Sequence, residues 1–224
     1  MRQYVNFIDQ TAFVREMNRR FSADAKAGCF ATAIVTTFFA PTGELSLCNA
    51  GHPPPILYRA KTGEWQLLEK DVKNRMANVP LGLLDLTEYE QFDVTLEAGD
   101  LVLCYTDSCI ESRGPDGEIL GLDGLLRVLR GMKQSEPAQL IREVLSAINA
   151  QREGNLKDDD VTVMVFRPNG LGRTVSLKNK LLAPARVLAG VFTSIKNRER
   201  APWPQLTLKN VGGAVIGAFA RTRR

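Results

Sequence analysis

The chain has 224 residues, enough for one domain with an appendage and for a sizeable buried core. Its 44% hydrophobic and 24% charged residues exclude general disorder; no apolar stretch could span a bilayer, and the polar first twenty residues hold no signal-peptide core, so a cytoplasmic protein is expected. The net charge of +4 is unevenly spread, with +10 on residues 171–224, where Glu199 is the one acid, and −6 on the first 170; a domain over 1–168 and a basic tail over 169–224 are the expected parts.

In chain order, Ile8, Phe13, Val14, Met17 and Phe21 recur at helical spacing and predict an amphipathic helix over 9–22, with Asp9 as its cap. Residues 31–39, "ATAIVTTFF", are rich in β-formers, Pro41, Thr42 and Gly43 turn the chain, and "ELSLCN" alternates as a half-buried strand does, which predicts a hairpin. "PILYR", a second turn at 61–63 and "WQLL" predict that the meander continues. After "EYEQFDVTL" come the turn residues Ala98, Gly99 and Asp100, then a strand over 101–106 that stops at Asp107. Helices are expected over 122–132 and 137–152, the latter opened by Pro137, and "VTVMVF" over 161–166 reads as a buried strand. Cys29, Cys48, Cys104 and Cys109 form no CxxC pair and are expected to be free thiols.

Asp107 follows one strand immediately, and Asp158, Asp159 and Asp160 stand just before another. If the two strands are antiparallel neighbours, the exit of one lies beside the entrance of the other and the acids meet at one end of a sheet. Carboxylates so placed repel unless a cation lies between them, and hard oxygen ligands suit Mg²⁺ or Mn²⁺. The same spacing also describes an exposed turn with solvated charges. His52, the only histidine, sits in "NAGHPPP" between a permissive Gly51 and three stiff prolines, where it can brace its loop or donate a hydrogen bond. With no second histidine and no suitably spaced cysteines, it is not expected to hold zinc.

The ordered stretches "FATAIVTTFFAPTGELSLCNAGHPPPILYR", "VPLGLL", "AGDLVLCYTDSCIES", "GLDGLL" and "DDDVTVMVFR" resemble the C-terminal two-thirds of the bacterial PPM-type (PP2C-like) protein phosphatases, in the SpoIIE/RsbU-like branch of sporulation and stress-response regulators. The resemblance covers about residues 5–168. It implies an α+β fold, a two-sheet antiparallel β-sandwich flanked by helices, with a two-metal centre at one end. The implied activity is hydrolysis of phosphoserine or phosphothreonine on a regulatory protein, such as an anti-sigma-factor antagonist, by a metal-activated water. By motif, Asp107 matches the aspartate of the family's "TDG" and Asp159 the first aspartate of its "DDVT", so both would be ligands of two Mn²⁺ or Mg²⁺ ions. No side chain would itself be catalytic; His52, whose loop lies near the metal end in the family, is the candidate for shaping the phosphate's approach.

Two departures accompany the resemblance. The match begins downstream of the family's "DVSGHG"-like element, whose aspartate bridges both metals, so the fold is expected to be N-terminally incomplete and the ligand set of this chain to count two aspartates. Ser108 stands where the family has glycine, and it would be strained if that position needed a positive φ. The alternative function is a catalytically inactive homologue that binds a phosphoprotein.

In the tail, Leu181, Leu188, Phe192 and Ile195 fall on one helical face among basic residues, interrupted by Pro184. Such a helix either lies on an anionic membrane surface or covers an apolar patch of its own domain. "VGGAVIGAFA", 211–220, is too short to span a bilayer. The expected partners are therefore a phosphoprotein substrate and, through the tail, a membrane surface or a docking protein; without interleaved aromatic and basic residues, no nucleic acid is expected.

Overall fold

The computed structural model describes residues 9–24, 28–40, 42–69, 78–85, 87–132 and 136–169. The expectations for the tail and for a boundary at 168 lie at or beyond the end of the described residues. Among the described residues no helix is long and apolar enough to cross a membrane.

Helix α1 (Gln10–Asp24) starts where Asp9 turns its carboxylate onto the first turn: Oδ1 accepts the amides of Thr11 at 3.0 Å and Ala12 at 3.2 Å, together with the Thr11 hydroxyl. Asp9 is the cap that its position predicts. The buried stripe is Gln10, Val14 and Asn18, a more polar face than the apolar spacing suggests. Both amides are buried because their hydrogen bonds are met. Gln10 Nε2 donates to the Thr37 hydroxyl, Asn18 Nδ2 donates to Leu84 O at 2.8 Å, and Asn18 Oδ1 accepts Gly82 N at 2.8 Å. Gly82 has φ +82°, and a Cβ there would come within 2.6 Å of the Phe21 ring, so only glycine fits between helix and loop.

Among the described residues, seven strands form two antiparallel sheets. β1 (Ala33–Phe39), β2 (Glu44–Ala50) and β5 (Gln91–Thr95) make a sheet of order β1-β2-β5. β3 (Ile56–Arg59), β4 (Glu64–Leu67), β6 (Leu101–Tyr105) and β7 (Val163–Phe166) make one of order β4-β3-β6-β7. The described residues fall into two compact units, 9–50 with 78–96 and 51–69 with 97–169, and each holds one of the sheets. Two antiparallel sheets with flanking helices are the expected fold class.

One expectation fails. The hairpin β1-β2 does not continue as a meander into β3, because the chain changes sheets between Ala50 and Ile56. Gly51, at φ +69°, redirects the backbone, and Pro53, Pro54 and Pro55 have no N–H with which to extend a ladder on β2.

The first unit packs Val14 of α1 against Cys48, Ala50, Leu81 and Tyr89. The second buries Leu125 and Leu129 of α3 (Gly121–Arg130) and Leu140, Val144 and Ile148 of α4 (Pro137–Gln151) in one core with the strands of its sheet. The i, i+4, i+8 spacing on α4 is the period that turns one helical face inward. Tyr58 and Trp65, opposite each other on β3 and β4, add an aromatic pair with ring centroids 5.1 Å apart.

At the entrance of β6, the turn residue Asp100 is buried to 1% exposure. Its carboxylate accepts Arg59 Nη1, Ala60 N and Glu97 N, each at 2.9 Å, and so ties the start of β6 to the end of β3. Asp100→Ala would strand two backbone amides and remove one contact of the partly exposed Arg59; urea unfolding should show a loss of about 2–3 kcal/mol.

All four cysteines are free, with Cys29 exposed, Cys104 half-buried and Cys48 and Cys109 buried. Burial pushes the Cys48 thiol up to about 12 and the Cys104 and Cys109 thiols up to about 11. At pH 8 the native chain should therefore give one fast thiol equivalent with a disulfide reagent, from Cys29, and four only after denaturation.

Candidate metal centre

β6 is paired on both sides, with Ile56↔Leu103 towards β3 and Leu103↔Val165 and Tyr105↔Val163 towards β7. The antiparallel pairing of β6 with β7 meets the condition set by the sequence. Its ladder runs one step further, because Thr106 N donates to Thr162 O at 3.0 Å. The exit of β6, where Asp107 stands, and the entrance of β7, where Asp158, Asp159 and Asp160 stand, are thereby at one end of the four-stranded sheet.

Two hydroxyls fasten these segments. Thr106 Oγ1 donates to Asp160 O at 3.1 Å and accepts Thr162 N at 3.0 Å; Ser108 Oγ donates to the same Asp160 O at 2.8 Å. Ser108 opens the short helix α2 (Ser108–Glu111), which the sequence reading missed, and Asp107, at φ −53° and ψ −31°, caps it. The strain anticipated at Ser108 is absent: the residue is helical, and the positive-φ non-glycine residues described are Asn78 and Leu156. Serine replaces glycine here at no backbone cost and adds a hydrogen bond.

Asp107 and Asp159 are both exposed. Each spends Oδ1 on the amide of the next residue, Ser108 N at 3.1 Å and Asp160 N at 2.7 Å, and Oδ2 of neither has a hydrogen-bond partner among the described residues. Two carboxylates with open oxygens at one sheet end fit a hard divalent ion that keeps most of its waters. Among the described residues no group of three or more His, Cys, Asp and Glu could hold a metal ion, so an ion here would need further oxygen donors.

His52 acts on the other flank of β6. By register Tyr105 stands opposite Pro54, two steps beyond Ile56↔Leu103, and its backbone polar groups face that side because those of Thr106 face β7. Pro54 has no N–H to offer. His52 Nε2 lies 3.0 Å from Tyr105 O; a carbonyl can only accept, so Nε2 carries the proton and the imidazole replaces the missing backbone donor. Tyr105 returns the contact, its phenol donating to Pro54 O at 3.0 Å. Burial first, then the Cys109 and Cys104 thiols and Glu69, push the Tyr105 phenol up, so it remains a donor. His52 thus makes a hydrogen bond of the kind a bracing role calls for.

Sequence reasoning did not single out Thr106 or Tyr105. Threonine and serine on either side of a strand-terminal aspartate, and a tyrosine two places before it, were the available signals.

The described architecture is shared by solved structures. The model of the family described as Stage II sporulation protein E (SpoIIE) matches residues 6–169. The phosphoserine phosphatase RsbU of Bacillus subtilis is 23% identical over 160 residues, covering 71% of this chain and 45% of RsbU. The chain thus spans less than half the length of that relative. The Mn-presoaked phosphatase domain of the cell fate determinant SpoIIE from Bacillus subtilis superposes with a TM-score of 0.55 at 19% identity, over 75% of this chain and 71% of that one. The PP2C domain of SiaA from Pseudomonas aeruginosa gives a TM-score of 0.56 at 18% identity, over 70% and 59% of the respective chains.

Replacing His52 by Ala leaves the Tyr105 carbonyl without a donor towards β3. A loss of about 1–2 kcal/mol is expected in urea unfolding; an unchanged midpoint would show that the imidazole is no brace.

Proposed function

Because the chain belongs to the SpoIIE family, we propose that it is a metal-dependent protein phosphatase acting on phosphoserine or phosphothreonine of a regulatory protein, of the anti-sigma-factor-antagonist type. The observation that supports this reading is that the exit of β6, followed by Asp107, and the entrance of β7, preceded by Asp159, lie at one end of the sheet, each aspartate keeping a carboxylate oxygen open. Asp107 and Asp159 would hold the ion, Mn²⁺ or Mg²⁺; the second ion of a two-metal centre would need oxygen donors beyond this pair. A bound divalent ion supplies charge neutralisation for phosphoryl oxygens and an acidified water as nucleophile.

What the chain's own residues contribute is placement. Thr106 and Ser108 fix the acidic turn against the end of β6, and His52 fixes the opposite flank of the same strand, from where it would shape the approach of a phosphate. Because both aspartates are exposed, a phosphorylated side chain on a protein surface can reach them without a pocket opening first. RsbU, named a phosphoserine phosphatase, supports the choice of substrate class. The same proposal covers the basic segment 171–224: its +10 charge suits docking to an anionic membrane surface or an acidic partner.

The test is Mn²⁺-dependent phosphate release from a phosphoserine peptide. Asp107→Asn and Asp159→Asn should each lower the rate at least about 100-fold, because loss of a mere hydrogen-bonding partner of a metal ligand already costs about 10–100-fold. Release that ignores Mn²⁺ or survives both substitutions would overturn the reading. No release, with the phosphopeptide still bound, would point to a phosphoprotein-binding module.

A further inference from the structure

The residue that departs from the family pattern has a task of its own. Ser108 is buried to 8% exposure, and its hydroxyl is committed to Asp160 O at 2.8 Å. Thr106 reaches the same carbonyl from the other side of Asp107, at 3.1 Å, while its oxygen also receives Thr162 N. One backbone carbonyl in the acidic turn thus takes two hydroxyl donors from residues that bracket Asp107. Regular pairing of β6 and β7 ends at Tyr105↔Val163, so beyond Thr106 and Thr162 these hydroxyl bonds are what the described residues offer to hold the two segments in register.

From this geometry we infer that Thr106 and Ser108 are positioning residues, a two-hydroxyl clamp that sets the separation at which Asp107 and Asp159 meet a divalent ion. The inference rests on the metal-centre reading and adds to it which side chains fix the ligands. Neither hydroxyl binds the ion itself; each acts through the main chain of Asp160, which is covalently joined to Asp159. A carboxylate free to swing several ångströms binds a hard ion weakly, because the shell tolerates little change in distance. Serine at 108 tightens the clamp with a second donor that glycine cannot supply.

The experiment uses the full chain and two readouts, Mn²⁺ affinity by calorimetry and amide hydrogen exchange over 158–162 without metal. Ser108→Ala and the isosteric Thr106→Val should each weaken Mn²⁺ binding about tenfold. Both should also speed exchange in that segment, while Thr106→Ser, which keeps the hydroxyl, should leave both readouts near the parent's. If the parent binds Mn²⁺ and Ser108→Ala and Thr106→Val bind it equally well, the clamp has no positioning role and the inference fails with the metal reading intact. Unchanged exchange in those variants would show that the hydroxyls do not hold the turn, and would overturn it as well. Failure of the parent chain to bind Mn²⁺ would instead remove the metal centre, and the positioning role with it.

Discussion

The register of β6 is the constraint from which the rest of the second unit follows. Being flanked by β3 and β7, this strand has both edges committed, and a slip of one residue would turn Leu101, Leu103 and Tyr105 out of the core in which they are buried. The buried carboxylate of Asp100 anchors its entrance and the Thr106–Thr162 step continues its exit. Held at both ends, β6 gives Asp107 a defined position that an acid on a loop would lack.

The polar groups around that strand divide by how their charge is treated. Asp100 is enclosed and its oxygens are shared among three donors, so it binds structure. Asp107 and Asp159 each satisfy one oxygen with a neighbouring amide and expose the rest, so they keep the capacity to bind something else. The same residue type thus serves stability at one end of a strand and, as proposed, chemistry at the other; solvent access and the number of donors separate the two cases.

Much of this was legible in the sequence because it is written as periodicity. Strands such as "LVLCY" and "VMVF", the Leu140, Val144 and Ile148 stripe, and the acids bounding two apolar runs all announce themselves by spacing. Asp9 as a cap followed from its place just before a helical stripe, and the approach of Asp107 to the 158–160 turn followed on the condition that their two strands pair antiparallel, which they do. What escaped was set by partners distant in the chain. Gln10 and Asn18 are polar by type and buried by circumstance, since their bonding groups lie in β1 and in the loop around Gly82. The change of sheet at Gly51 looked like one more hairpin turn, because three prolines forbid pairing on one side without saying where the chain goes next. Ser108 was misjudged for a related reason: a comparison by residue type suggested strain, whereas the local backbone is helical and the hydroxyl finds a carbonyl 52 positions away.

That separation bears on how the protein comes to be made. The Thr106–Asp160 contact spans 54 residues, including α3 and α4, so the loop it closes is long and its entropic cost falls on the last strand to arrive. During synthesis β6 leaves the ribosome with one neighbour, β3, already available, and its other edge stays open until the two helices and β7 have followed. The two aspartates cannot meet before that closure. A nascent or partly unfolded chain therefore does not yet hold the acidic ends of β6 and β7 side by side, and the ion binding proposed for this end would appear together with the completed sheet.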